Sequence, residues 1–149
     1  MHKLQKQTLD VGLHATGVIY KNRLLECFRL GLLNPHLGIL PRYRGRSVME
    51  WSIFYGDATG ITTFFIDEGI DTGERIVLRQ EVSVKAYKDI TEAKNYLFAL
   101  DAKMFAEALQ KLQQPTYQPI LQKPEDGIRF YVMSDLFRSV VTQMMKEEL

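Results

Sequence analysis

The chain has one cysteine, no long apolar run, no internal repeat or low-complexity stretch, and no surplus of charge of either sign. Each absence removes a class of protein. Cys27 cannot form an internal disulfide, so a disulfide-stapled scaffold is excluded. It falls in a helix-like apolar pattern, where a buried, inert thiol is favoured over a nucleophile. Lys and Arg number 19 against 18 Asp and Glu, too even a balance to gather nucleic acid or an anionic membrane, and neither partner is expected. No stretch approaches the ~20 apolar residues of a membrane span. The start, M-H-K-L-Q-K-Q-T-L-D, is polar and basic without a following apolar region, so it reads as neither signal nor anchor, and a reducing cytoplasm fits. What is present, 149 residues that are 46% apolar and 25% charged, has the balance of one ordinary globular domain. A chain of this length buries roughly 70% of its unfolded surface.

Along the chain, Val11 to Thr16 reads as a short strand ending at Gly17, with His14 as a hydrogen-bonded structural histidine. Lys21 to Leu30 has helical spacing with Gly31 as its stop, and Leu32 to Asn34 is a second strand. Strand, helix and strand make a βαβ unit with parallel strands, whose carboxyl ends are where open α/β sheets bind ligands. Ser47 and Glu50 have the spacing of a capping box and start a helix to about Tyr55. Ile61 to Ile66 and Ile76 to Val84 are strands around the polar loop Asp67 to Glu74, as a hairpin or as part of a mixed sheet. Asp89 caps a helix whose stripe runs from Ala93 through Leu97, Leu100, Met104 and Ala108 to Leu112, with Lys94, Asp101, Lys103 and Lys111 on its wet face. Residues 1–114 are read as the core. Residues 115–149 are read as a proline-containing linker and an amphipathic helix from about Ser134 to Lys146. Its residues Leu136, Phe137, Val140, Val141 and Met144 are placed to dock on the body or on a partner.

The chemistry concentrates in L-N-P-H-L-G-I-L-P-R-Y-R-G, Leu33 to Gly45. Asn34 and His36 stand two apart, so on an extended segment both face one reacting atom. Asp71 in the later polar loop is the third member. An Asn amide donates to an oxygen gaining negative charge, an imidazole delivers a proton, and a carboxylate orients the imidazole. With no serine or cysteine beside them, the nucleophile comes from the substrate or from water.

At these residues the sequence resembles the folate-dependent formyltransferases, which carry an N-x-H-x-S-x-L-P-x-x-x-G pattern, then a T-G-[VI]-T strand and a D-x-G-x-D-x-G loop. Here these are Asn34-Pro35-His36 with Leu40-Pro41 and Gly45, Thr59-Gly60-Ile61-Thr62, and Asp67-Glu68-Gly69-Ile70-Asp71-Thr72-Gly73. The resemblance covers roughly Asp10 to Leu112. It implies a formyl donor, 10-formyltetrahydrofolate, with no metal, and a partial Rossmann-type α/β sheet, parallel or mixed, with flanking helices and without the family's first β-α units. It implies that Asn34 and His36 bind the formyl oxygen, that Asp71 polarises His36, and that Val18, Ile19, Tyr20, Ile66, Asp67 and Glu68 wall the pterin pocket. Gly38 departs from the pattern, standing where many members have serine.

The leading reading is formyl transfer to a primary amine, most favourably on a small nucleotide-linked amino sugar, with a glycinamide-type acceptor next and initiator tRNA disfavoured by the charge balance. Two others stay open: hydrolysis of the same donor, and a truncated fragment that binds folate or a partner without turnover. Without upstream strands, the Val11 to Thr16 strand has an edge left exposed or covered by another chain, so either a homo-oligomer or marginal stability is expected.

Overall fold

The computed structural model describes residues 9–18 and 20–147. In chain order the elements are β1 (Leu9–Leu13), α1 (Asn22–Leu25), β2 (Phe28–His36), β3 (Tyr43–Gly45), α2 (Val48–Phe54), β4 (Gly60–Phe65), β5 (Arg75–Glu81), α3 (Ile90–Ala99), α4 (Asp101–Leu112), β6 (Ile120–Leu121), β7 (Ile128–Phe130) and α5 (Asp135–Glu147). The main sheet has the order β1-β2-β4-β5-β6, and β3 pairs with β7 in a separate ribbon. Only β1 and β2 run parallel in the main sheet; the other three pairings are antiparallel. This is the expected α/β class with a mixed sheet, and the D-E-G-I-D-T-G loop is the turn of the β4-β5 hairpin.

The central strand β4, G-I-T-T-F-F, is buried at every position, as befits a strand covered on both faces. On one face Leu33, Phe65 and Val77 pack with Ala108 of α4. On the other Phe64 and Ile76 pack with Leu40. A third cluster joins Met49 of α2, Ala93 and Leu97 of α3 and Met104 of α4 to Val141 and Met145 of α5 and to Met133.

Four local expectations are overturned. The helix over Lys21 to Leu30 is a single turn, and β2 is a nine-residue strand rather than a short one. Pairing with β1 overrides the helical spacing. Gly31 does not stop a helix: at φ +124° it takes up a register shift in which Leu9 faces Phe28 but Val11 faces Gly31. The helix from Asp89 is capped as expected, by the Asp89 side chain accepting from the Glu92 amide, but it breaks at Leu100. The break lets α3 serve the α2-α5 cluster while Ala108 on α4 serves the sheet. The capping box at Ser47 does not form. Ser47 is left-handed at φ 52°, its hydroxyl accepts from the Met133 amide, and Glu50 turns to Lys94 instead. Of the α5 residues placed to dock, Val141 is buried on the body beside Met145, whereas Leu136, Phe137 and Val140 remain exposed.

The segment after Pro115 thus joins the core. Trp51, the only tryptophan, donates its indole N–H to the Tyr131 carbonyl and packs near Phe130 and Phe137. Met133→Ala is expected to cost about 2–5 kcal/mol of unfolding stability, against less than about 0.5 kcal/mol for Leu136→Ala, which is on the surface. Denaturant titration followed by Trp51 fluorescence checks this. Equal effects of the two substitutions would contradict the packing.

Candidate active site

Strand β2 carries Asn34 and His36 on the face opposite α4, opposite Phe64 and Thr62 of β4. Between them Pro35 occupies a central strand, where a missing N–H is normally costly. The parallel partner resolves this. The Leu33 carbonyl accepts from the His14 amide at the end of β1, so Pro35, two residues on, faces the same side after β1 has finished. The sheet opens there, and a cleft of about 580 Å³ lies over the gap.

The end of β1 also orients Asn34. Its Nδ2 donates to the His14 carbonyl at 2.8 Å, which fixes which end of the amide is nitrogen. Asn34 makes no other side-chain hydrogen bond among the described residues, so a second amide hydrogen is left for a ligand. His14 itself is buried, its Nδ1 lies 3.3 Å from the Thr16 hydroxyl, and its ring meets Tyr20 edge-on. Burial lowers its pKa, against smaller raising effects from backbone contacts with Thr16 and Val18.

His36 is only 7% exposed. Its Nε2 lies 2.7 Å from the Tyr43 carbonyl. A carbonyl only accepts, so Nε2 carries the hydrogen and Nδ1 is the nitrogen left for proton traffic. Nδ1 faces Asp71, with Oδ2 at 3.5 Å, and the same Oδ2 accepts from the Gly45 amide at 2.8 Å. Asp71 adopts φ 54°, a left-handed conformation that Asp tolerates better than most side chains. Gln122, buried beside β6, donates to the Gly73 carbonyl at 2.7 Å and to the Asp71 carbonyl at 3.3 Å and so pins the loop.

The P-R-Y-R-G segment that supplies the Tyr43 carbonyl and the Gly45 amide is held by its own side chains. The Tyr43 hydroxyl donates to Asp57, and burial first, then Asp57, pushes its pKa up to about 12. Arg42 pairs with Asp57 at 2.7 Å, and Arg44 donates to the Gly127 carbonyl at 2.5 Å. Thr62 donates to the Gly38 carbonyl at 2.6 Å and accepts from the Leu40 amide, just before a Leu40-Pro41 bond that is cis.

Of the residues singled out from sequence, Asn34, His36, Asp71, Val18, Tyr20, Ile66 and Asp67 line the cleft, and Glu68 is not among the lining residues. Ile19 lies outside the described residues. Asp67 accepts from the Gly69 amide and the Thr72 hydroxyl, which shapes the loop before Asp71. Sequence reasoning missed Gln122, and it missed Glu50, Lys94 and Asp101 as cleft residues. A buried Glu50 was legible only as half of a cap. Among the described residues no group of three or more His, Cys, Asp or Glu is arranged to hold a metal ion. No helix among them is long and apolar enough to cross a membrane.

The family model described as Formyl transferase matches residues 2–109, and the chain belongs to that family. It is similar to methionyl-tRNA formyltransferases from Geobacter metallireducens, 37% identical over 127 residues, and Thermodesulfovibrio yellowstonii, 33% identical over 114 residues. Each match covers 76% of this chain, which spans only 40% and 36% of those relatives. It is also similar to the crystal structure of the formyltransferase PseJ from Anoxybacillus kamchatkensis in complex with UDP-4,6-dideoxy-4-formamido-L-AltNAc and tetrahydrofolate. There the TM-score is 0.65 at 25% identity, over 86% of this chain and 66% of that one.

Gly38 has a definite consequence for this geometry. A Cβ there would lie 2.8 Å from His36 Nε2 and 3.1 Å from the Tyr43 carbonyl oxygen, wedged into the hydrogen bond that fixes the imidazole. Gly38→Ala is expected to weaken that bond, seen as a shifted or exchange-broadened Nε2–H proton resonance with unchanged far-ultraviolet circular dichroism. An unaltered Nε2–H signal would sink this account.

Proposed function

We propose that the chain transfers a formyl group from 10-formyltetrahydrofolate to a primary amine, most favourably the amine of a small nucleotide-linked amino sugar. The observation that carries this is the placement of Asn34 and His36 on one face of β2 at the open end of the sheet, with Asp71 Oδ2 3.5 Å from His36 Nδ1. Family membership supports it. In this reading the free Asn34 amide hydrogen donates to the formyl oxygen as the amine attacks and negative charge builds there. His36, its tautomer fixed by the Tyr43 carbonyl, and Asp71 share the proton that leaves the amine and is delivered to the departing nitrogen of the folate. Val18, Tyr20, Ile66 and Asp67 wall the donor's ring, and the exposed Val18 gives the lip of the cleft an apolar contact.

Two relatives are named for methionyl-tRNA and one solved relative for a UDP-linked sugar product. A net charge of +1 favours the sugar as acceptor, because tRNA binding rests on clustered positive charge. The charge balance applies to this chain alone, and methionyl-tRNA is the second reading.

Asn34→Ala is expected to lower turnover by a hundredfold or more, the usual cost of one lost oxyanion donor at about 3–4 kcal/mol. Amine-dependent release of tetrahydrofolate from 10-formyltetrahydrofolate checks both the activity and the variant. Formate release without any amine would replace transfer with hydrolysis, and donor binding without either product would leave a folate-binding fragment.

We also propose self-association through β1, which among the described residues has a neighbour on one side only and exposes Leu13. Sedimentation at increasing concentration is expected to show a dimer that Leu13→Lys weakens. A wild-type monomer at all concentrations would refute it.

A further inference from the structure

One wall of the cleft carries charged side chains that the transfer chemistry does not use. It is built by α2, α3 and the start of α4, elements different from the ends of β1 and β4 that face the donor. Glu50 on α2 is fully buried. Its Oε1 lies 2.5 Å from Lys94 Nζ on α3, and its Oε2 is buried with no hydrogen-bond partner. Lys94 is 30% exposed and lines the cleft. Asp101, the first residue of α4, lines it as well, and its Oδ1 is also buried without a partner. Lys94 and Phe98 stand one turn apart on α3, Asp101 opens α4 just past the break at Leu100, and all three line the cleft. Phe98 between them is exposed.

Carboxylate oxygens without donors are costly to maintain, and Asp101, which lines the cleft, is placed to take a donor from outside the chain, whereas Glu50 lies beneath Lys94 and fixes it. This wall offers an acceptor in Asp101 and a donor in Lys94, and Arg46 and Arg129 add positive charge elsewhere in the lining of the same cleft. Hydroxyl groups suit it: they donate to Asp101 and accept from Lys94, while the exposed Phe98 ring offers a face for ring C–H groups.

We propose that Glu50, Lys94 and Asp101 form a polar subsite that takes the hydroxylated ring of the amine-bearing substrate, with Lys94 and Asp101 in contact and Glu50 positioning Lys94 from beneath. Calling that ring the acceptor rests on the proposed formyl transfer; its binding here does not.

The test is binding rather than turnover, with D-glucosamine and cyclohexylamine, both held largely as ammonium ions at about pH 6.5, titrated into the full chain and followed by protein NMR. Glucosamine is expected to shift the Lys94, Phe98 and Asp101 resonances and to bind at least tenfold more tightly than cyclohexylamine. Asp101→Asn and Lys94→Met should each weaken glucosamine binding about tenfold, with donor binding unchanged. Stability separates this from a structural role. Burial raises the Asp101 pKa to about 6, so the folded state disfavours the carboxylate and Asp101 lowers stability as pH rises through that range. Asp101→Asn should therefore melt higher than wild type at pH 7.5 and the same below the ordinary carboxyl range. Equal affinity for the two amines, unchanged glucosamine binding in both variants, or a lower melting temperature of Asp101→Asn at pH 7.5 would each overturn the subsite. Selective binding with no tetrahydrofolate formed would count against formyl transfer and leave the subsite standing.

Discussion

The hydrogen bond from His36 Nε2 to the Tyr43 carbonyl, 2.7 Å long, is the contact on which the candidate site depends. It selects one tautomer, and by doing so it turns Nδ1 toward Asp71. Asp71 is then set by the same loop, through the Gly45 amide. One short segment therefore aligns both His36 and Asp71 through backbone groups, whose positions depend on the loop's path rather than on its surface side chains. The path is fixed elsewhere: Tyr43 and Arg42 on Asp57, Arg44 on the Gly127 carbonyl, Thr62 on the Gly38 carbonyl. Gly38 belongs to the same constraint, since any Cβ there presses on the imidazole.

The last part of the chain closes the arrangement. Strand β7 pairs with β3 directly after the site loop, the Ile128 amide donates to the Arg42 carbonyl, and Gln122 holds the loop bearing Asp71. Val141 and Met145 then anchor α5 on α2. The tail reads as an appendage only in sequence order. In space it sets both ends of the His36-Asp71 pair, so loosening it disturbs the site without touching a residue that faces the cleft.

What was legible in sequence follows the range of the interactions involved. Asn34 and His36 share a face because they are two apart on a strand, and the turn before Asp71 is spelled out by glycines; both are local facts. The cap at Asp89 and the buried stripe through Leu97, Met104 and Ala108 are local as well. Gln122 acts on Asp71 across 51 positions and Lys94 meets Glu50 across 44, separations at which single-sequence patterns are silent. The same limit explains Phe28 to Leu30. Their spacing is helical, yet pairing with β1 decides their conformation, and Gly31 supplies a bulge where a helix stop was read. Ser47 and Glu50 match a capping box in spacing, but each finds a stronger tertiary partner.

The division of labour between strand and helix has its own physical logic. Asn34 and His36 lie on a central strand, paired there with β4 just beyond the end of β1, where a change of backbone would disturb the sheet. Lys94, Phe98 and Asp101 lie on helices whose opposite face, Ala93, Leu97 and Met104, does the packing. A helix separates its two faces cleanly, so its cleft side can be altered while its core side stays filled. Within this fold the polar stripe is free to change the group recognised, whereas the residues on β2 are not free to move. If the proposed transfer holds, chemistry on the sheet and recognition on the helices would let one geometry accept different amines.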